Sequence, residues 1–157
     1  MNNINILLTR VDNRLVHGQV GMSWVGSLKP NLILVADDMA SEDKVQQSLM
    51  AMTAEAAGVE IRFFSLKKTA EIIHKASPKQ LIFIVVRTPS AARYLYENGV
   101  PLKEVNIGNM HFSEGKKQSL EAHVYVDDAD MEDIMYLKNH GVDIYIQIAP
   151  GDKKYKF

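Results

Sequence analysis

The chain has 157 residues, 46% hydrophobic and 24% charged, with 18 basic against 19 acidic side chains for a formal charge of −1. That length suits one domain, 1–157, whose core needs no metal or disulfide staple, and the composition excludes a disordered chain. The balanced charge argues against nucleic acid as a partner, and the absence of cysteine excludes disulfides, thiolate catalysis and cysteine-ligated zinc.

The N-terminus lacks the basic start and long apolar run of a signal peptide, and no apolar stretch approaches the ~20 residues of a membrane span. A soluble cytoplasmic protein is expected. In chain order, residues 4–8 read as a buried strand. A polar loop follows, then a helix over 19–28 in which Met22, Trp24 and Leu28 read as core rather than as a docking patch. Residues 31–36 form a second strand, ending at Asp37-Asp38. The longest predicted helix, 41–56, starts at a candidate N-cap, Ser41, and spaces Val45, Leu49 and Met52 by four and three. Strand 59–64 leads through Ser65, another candidate cap, to helix 66–75, with Ala70, Ile73 and His74 on one side.

Strand 81–86 ends at Arg87-Thr88, and helix 90–98 follows Pro89. Residues 105–108 make a short strand, 123–126 another and 142–148 the last, with helix 129–139 between. Gly58, Gly99 and Gly141 stand at helix stops. Alternating Val-, Ile- and Phe-rich strands and helices predict an α/β fold: a single open, mainly parallel sheet of about seven strands with helices on both faces. Ligands of such sheets collect at the carboxyl ends of strands.

The loop after the first strand, Thr9-Arg10-Val11-Asp12-Asn13-Arg14-Leu15-Val16-His17-Gly18-Gln19-Val20, gathers two arginines, an aspartate and a histidine. Neutral imidazole is a nucleophile at physiological pH. Arg14 and Arg10 can neutralise a phosphoryl group by charge-assisted hydrogen bonds, and the amides of Gly18, Gln19 and Val20 at a helix start would add donors. Asp12 can orient an arginine or the imidazole. The plainer reading is a surface histidine beside a surface ion pair worth roughly 0–1 kcal/mol. The residues alone leave both open.

Other strand-end residues carry paired readings. Asp37-Asp38 suits a metal or phospho-aspartate site, or a helix cap. Thr88 suits phosphate binding or a turn before Pro89. Arg87 suits phosphate or a surface salt bridge. His111, with Asn109, can line the same crevice. His74 and His140 sit near helix ends, His123 in a strand. Lys116, Lys117, Lys153 and Lys154 read as solvated charge. The five histidines show no tight metal spacing, so no metal is expected.

Arg10-Val11-Asp12-Asn13-Arg14-Leu15-Val16-His17-Gly18-Gln19-Val20 closely resembles the R-[IV]-D-x-R-[LI]-[IV]-H-G-Q-V signature of the IIB components of the mannose/fructose/sorbose family of the bacterial sugar phosphotransferase system. Leu34-Val35-Ala36-Asp37-Asp38, Val85-Val86-Arg87-Thr88-Pro89 and Val105-Asn106-Ile107-Gly108-Asn109-Met110-His111 resemble further segments of that family. The resemblance spans essentially the whole chain and is nearest to members serving N-acetylgalactosamine or related amino sugars.

It implies a phosphocarrier in which His17 accepts a phosphoryl group on Nδ1 from phospho-IIA. His17 then passes it to a sugar arriving through the membrane components IIC and IID. Arg14 would assist transfer, with Arg10 and Asp12 in support and no cofactor beyond the covalent phosphohistidine. A cytoplasmic protein peripherally attached to the permease is implied, with association as a homodimer among the expectations. The alternatives are a non-catalytic regulatory phosphate-binding module and a metal-dependent hydrolase built on His17 with Asp37 or Asp38.

Overall fold

Apolar runs of four to six residues pair into a sheet because each buries side chains on both faces at once. The computed structural model describes residues 3–18, 21–116 and 118–157. Its strands are β1 (Asn5–Asp12), β2 (Leu32–Ala36), β3 (Glu60–Phe64), β4 (Leu81–Val86), β5 (Glu104–Asn109), β6 (Gln118–Glu121), β7 (Val124–Val126), β8 (Asp143–Ile146) and β9 (Tyr155–Lys156). The helices are α1 (Gly18–Leu28), α2 (Lys44–Ala56), α3 (Leu66–Ile72), α4 (Pro89–Glu97) and α5 (Asp128–Asn139). The main sheet has seven strands in the order β3-β2-β4-β1-β5-β8-β9, parallel except for the β8–β9 pair.

The sheet divides two apolar layers. On one side the loop before α1 buries Leu15 and Val16, and α1 and α2 bury Trp24, Val25, Met50 and Ala54, against Leu8, Ile33, Val35, Phe83 and Val85. On the other, α4 and α5 bury Ala92, Leu95, Ile134 and Leu137 against Val11, Ile84, Val105, Ile107 and Ile144. β1 lies at the centre, so its carboxyl end opens between loops from both halves of the sheet.

The predicted fold class holds, with differences in its parts. The seventh strand of the main sheet is β9, which no apolar run announced. The predicted strand 123–126 instead pairs as β7 with β6 in a separate hairpin. His123 accordingly sits in the exposed turn before β7 rather than in a strand.

The helix predicted from Ser41 begins later. Residues 40–42 make one 3₁₀ turn, and the cap of α2 is Asp43, whose side chain accepts from Gln46 N. An aspartate outcompetes a serine that is already bonded to the Asp38 carbonyl. Val45, Leu49 and Met52 are 73, 62 and 67% exposed, and Met50 and Ala54 face the core instead. Helical spacing identifies a stripe but not which of two stripes turns inward. Met22 is likewise exposed, whereas Trp24 is buried. Helix 66–75 tightens to 3₁₀ after Ile72, leaving Ile73 buried and His74 exposed. Ser65 caps α3 as expected, accepting from Lys68 N at 3.0 Å.

Candidate functional site

β1 turns Leu8, Arg10 and Asp12 toward the α1 layer, while Val11 packs into the opposite one. A strand's two-residue period thus sends two charged side chains into a hydrophobic layer. Each is held there by partners. Arg10 is only 3% exposed and lies 5.0 Å from the centroid of the Trp24 ring. Its Nη1 donates to Asn106 Oδ1 at 2.6 Å and to the Gln147 carbonyl at 3.2 Å, and its Nη2 to Asp12 Oδ2 at 3.3 Å.

Asp12 is 1% exposed. Its Oδ1 accepts from Arg14 N at 3.0 Å, and its Oδ2 takes both Arg10 and Nε2 of His17, the latter at 3.2 Å. Burial alone would push this carboxyl up. Hydrogen bonds from His17 and Arg14 N, together with the charge of Arg10, outweigh burial and hold it below its ordinary value. Burial pulls the Arg10 guanidinium down, and Asp12 offsets part of that.

An ionised carboxylate can only accept, so neutral His17 carries its hydrogen on Nε2 and keeps the Nδ1 lone pair. No described residue bonds Nδ1. His17 stands as the N-cap residue of α1 in extended conformation, its carbonyl taking Gly21 N at 3.0 Å. Gly18 follows at φ +36, a conformation that disfavours a side chain. Gln19 and Val20, whose amides the sequence assigns to phosphate, lie outside the described residues. The ring therefore stands at the positive end of an eleven-residue helix.

The loop between Asp12 and His17 is fixed from several sides. Leu15 N bonds the Asp12 carbonyl at 3.0 Å, and Leu15 adopts φ 58 with its side chain buried. A left-handed leucine costs roughly 1–2 kcal/mol and persists because its side chain is locked in the core. Asn13 N bonds the Asn109 carbonyl at 3.0 Å, and Asn13 Oδ1 accepts from His111 N. Arg14 is exposed, and no described residue pairs with its guanidinium.

Asp37 and Arg87 form a fork: Nε to Oδ1 at 3.1 Å and Nη2 to Oδ2 at 2.9 Å. The hydrogen bonds it donates to Asp37 raise Arg87 above its ordinary value. Arg87 Nη1 also reaches the Asn13 carbonyl at 3.3 Å, and Asp37 caps Ala40 N at 2.9 Å. Asp38 accepts from Leu66 N at 2.9 Å. Of the paired readings, capping and loop bracing describe both acids. Thr88 caps α4, accepting from Ala91 N at 3.1 Å, which bears out its turn reading and leaves its hydroxyl hydrogen uncommitted. Lys116 is no free surface charge, since it pairs with Asp130 at 3.0 Å; Lys117 lies outside the described residues.

Asn109 and His111 do reach the loop, through Asn13 and by backbone groups. Sequence reasoning missed Asn106, Gln147 and Trp24 as supports of Arg10. A buried polar residue inside an otherwise apolar strand, as in Val105-Asn106-Ile107, was the available signal.

A buried aspartate fixing an imidazole at a helix start, at the carboxyl end of the central strand, defines a histidine site suited to an anion. The chain belongs to the sorbose-subfamily IIB components of the phosphotransferase system, whose family model matches residues 6–157. It is 54% identical over 154 residues to the N-acetylgalactosamine-specific phosphotransferase enzyme IIB component 1 of Escherichia coli K12, covering 98% of this chain and 97% of that one. The crystal structure of the Escherichia coli N-acetylgalactosamine-specific IIB component 1 superposes with a TM-score of 0.94 over 98% of this chain and 99% of that one, at 54% identity. The IIB domain of the Klebsiella pneumoniae sorbose permease superposes at 0.89, with 28% identity, over 97% and 93%.

Proposed function

We propose that the protein is a phosphocarrier that takes a phosphoryl group on Nδ1 of His17 from phospho-IIA and delivers it to a sugar entering through IIC and IID. The observation that carries this reading is the contact of His17 Nε2 with Asp12 Oδ2 at 3.2 Å; because an ionised carboxylate only accepts, that contact assigns the hydrogen to Nε2 and leaves Nδ1 free. In loading, the Nδ1 lone pair attacks phosphorus, the donor's P–N bond breaks, and the donor imidazole leaves with that electron pair. In delivery, a sugar hydroxyl oxygen attacks phosphorus, the Nδ1–P bond breaks, and the hydroxyl proton passes to water.

Both steps depend on positioning and electrostatics. Asp12 stabilises positive charge on the ring while Nδ1 is bonded to phosphorus. Exposed Arg14 and the α1 N-terminus offset charge on the phosphoryl oxygens. The step needs no cofactor beyond the histidine itself. N-acetylgalactosamine or a related hexosamine is the proposed sugar, supported by the 54% identity to the N-acetylgalactosamine-specific relative.

The test is incubation with phosphoenolpyruvate, the general phosphotransferase proteins and the cognate IIA, followed by intact mass. A gain of one phosphoryl group, stable at neutral pH, lost in acid and absent in His17→Gln, is expected. Retained phosphorylation in that variant would refute the assignment. Reversible, non-covalent phosphate binding without any mass gain would indicate a regulatory module instead.

A further inference from the structure

Between Val11 and Asp12 the pairing of β1 with β5 slips. Val11 faces Ile107, but Asp12 faces Asn109, so Gly108 is the extra residue of a bulge. Arg10 pairs with Asn106 across the strands, and Asn106 and Gly108 share one face of β5. The Arg10 guanidinium occupies the space left by the missing Gly108 side chain. A Cβ there would land well inside contact distance of Cζ, Nη1 and Nη2 at once. Asn106 is fully buried and holds two partners, accepting from Arg10 and donating Nδ2 to the Gln147 carbonyl at 3.0 Å. Trp24 closes the other side, its Nε1 anchored on the Ile148 carbonyl at 3.1 Å.

We infer that Gly108 and Asn106 are positioning residues for the proposed phosphoryl transfer. Together they form a slot that locks the Arg10 guanidinium; Arg10 fixes the Asp12 carboxylate; Asp12 dictates which nitrogen of His17 is free. The inference rests on His17 being the phosphoryl acceptor. The glycine at this bulge is what makes the slot: any other residue at 108 would carry a side chain where the guanidinium lies. Asn106 and Gly108 thus act on a histidine that neither residue touches, through two intervening side chains.

The test combines nuclear magnetic resonance of the His17 ring in the unphosphorylated protein with the rate of phosphoryl loading from phospho-IIA. In the wild type the ring hydrogen on Nε2 is expected to be held by Asp12 and to exchange slowly with water. Gly108→Ala should abolish that slow resonance, return the neutral ring to a mixture of tautomers, and slow loading roughly 10–100-fold, by analogy with the cost of removing the partner that orients a metal-binding histidine. Asn106→Ala, which leaves the bulge intact, should do the same more weakly.

Arg10→Gln removes the guanidinium from the slot, so adding Gly108→Ala to it should change the ring no further. Additive effects would overturn the relay through Arg10. If Gly108→Ala does not fold, Asn106→Ala and its combination with Arg10→Gln decide. An unchanged ring resonance with unchanged loading in a folded Gly108→Ala or Asn106→Ala refutes the positioning role. A ring that responds as expected in a protein whose wild type takes no phosphoryl group would instead refute the reading of His17 as acceptor.

Discussion

Asp12→Asn is the most informative single perturbation, because it keeps the shape of a residue that is 1% exposed and removes only its charge. Breaking a buried ion pair by removing one partner costs about 3–5 kcal/mol. Here Arg10 keeps the Asn106 and Gln147 oxygens and the Trp24 face, and the variant's amide oxygen still accepts from Arg14 N. The expected loss is therefore at the lower end, about 3 kcal/mol. For a chain of this size that lowers Tm by roughly 6–12 °C.

The assay is urea unfolding at neutral pH, where the midpoint should fall with the slope unchanged, repeated toward pH 3. In the folded protein Asp12 is held below its ordinary value. Its stabilisation is then fully present above the unfolded value near ~3.9 and is lost as pH falls through the lower folded value. The gap between wild type and variant should close in acid. A neutral-pH loss under about 0.5 kcal/mol, the range of ordinary surface changes, or a gap that does not narrow in acid, would refute the account of the Arg10–Asp12–His17 chain.

Replacing Arg14 with an uncharged residue should impair delivery to sugar more than loading of His17, and equal loss in both rates would remove that division of labour. Thr88→Ala should cost about 1 kcal/mol as a lost helix cap and leave loading unchanged in the mass assay. Arg87→Lys keeps a cation but loses the fork on Asp37; unfolding should show about 1–2 kcal/mol lost, since charge-assisted bonds of this kind contribute that much. Burial, then Glu104, pushes the Tyr145 phenol well above its ordinary value. Its stabilisation should be complete below pH ~10 and disappear as pH rises beyond, so Tyr145→Phe should flatten the alkaline limb of the stability curve. Leu49→Lys should leave stability within about 0.5 kcal/mol, because that side chain is 62% exposed.

The fold class was readable because β2 and β4 are unbroken apolar runs covered on both faces, and such runs permit little else. The β9 strand was not readable: Tyr155–Lys156 is two exposed residues whose pairing depends on the free edge of β8, a tertiary circumstance with no local pattern. The outward stripe of α2 went the same way, since periodicity fixes a spacing and not the direction of the core. At the site, Arg10, Asp12 and His17 stood close together in the sequence and could be grouped from it. Their division into a buried pair and an exposed Arg14 could not, because it follows from the β1 pleat meeting Trp24 on one face. The pairing of Asn106 and Gln147 with Arg10 was out of reach for a simpler reason. They meet Arg10 across 96 and 137 residues of chain, and nothing in either segment names its partner.

Those separations also order events in time. β1 is the central strand, yet its neighbours β4 and β5 are made long after it. During synthesis, which proceeds from the N-terminus at about 5–20 residues per second, residues 5–12 leave the ribosome without either flank. His17 is chemically present from the start, but the set of contacts around Arg10 behind it is complete only once Gln147 has arrived. On the proposed reading of His17 as acceptor, a nascent or truncated chain lacking Gln147 should load phosphoryl groups more poorly than the finished molecule. Parallel sheets assembled from distant segments form slowly, and on the same reading that slowness coincides with a check that only the completed fold presents a usable histidine.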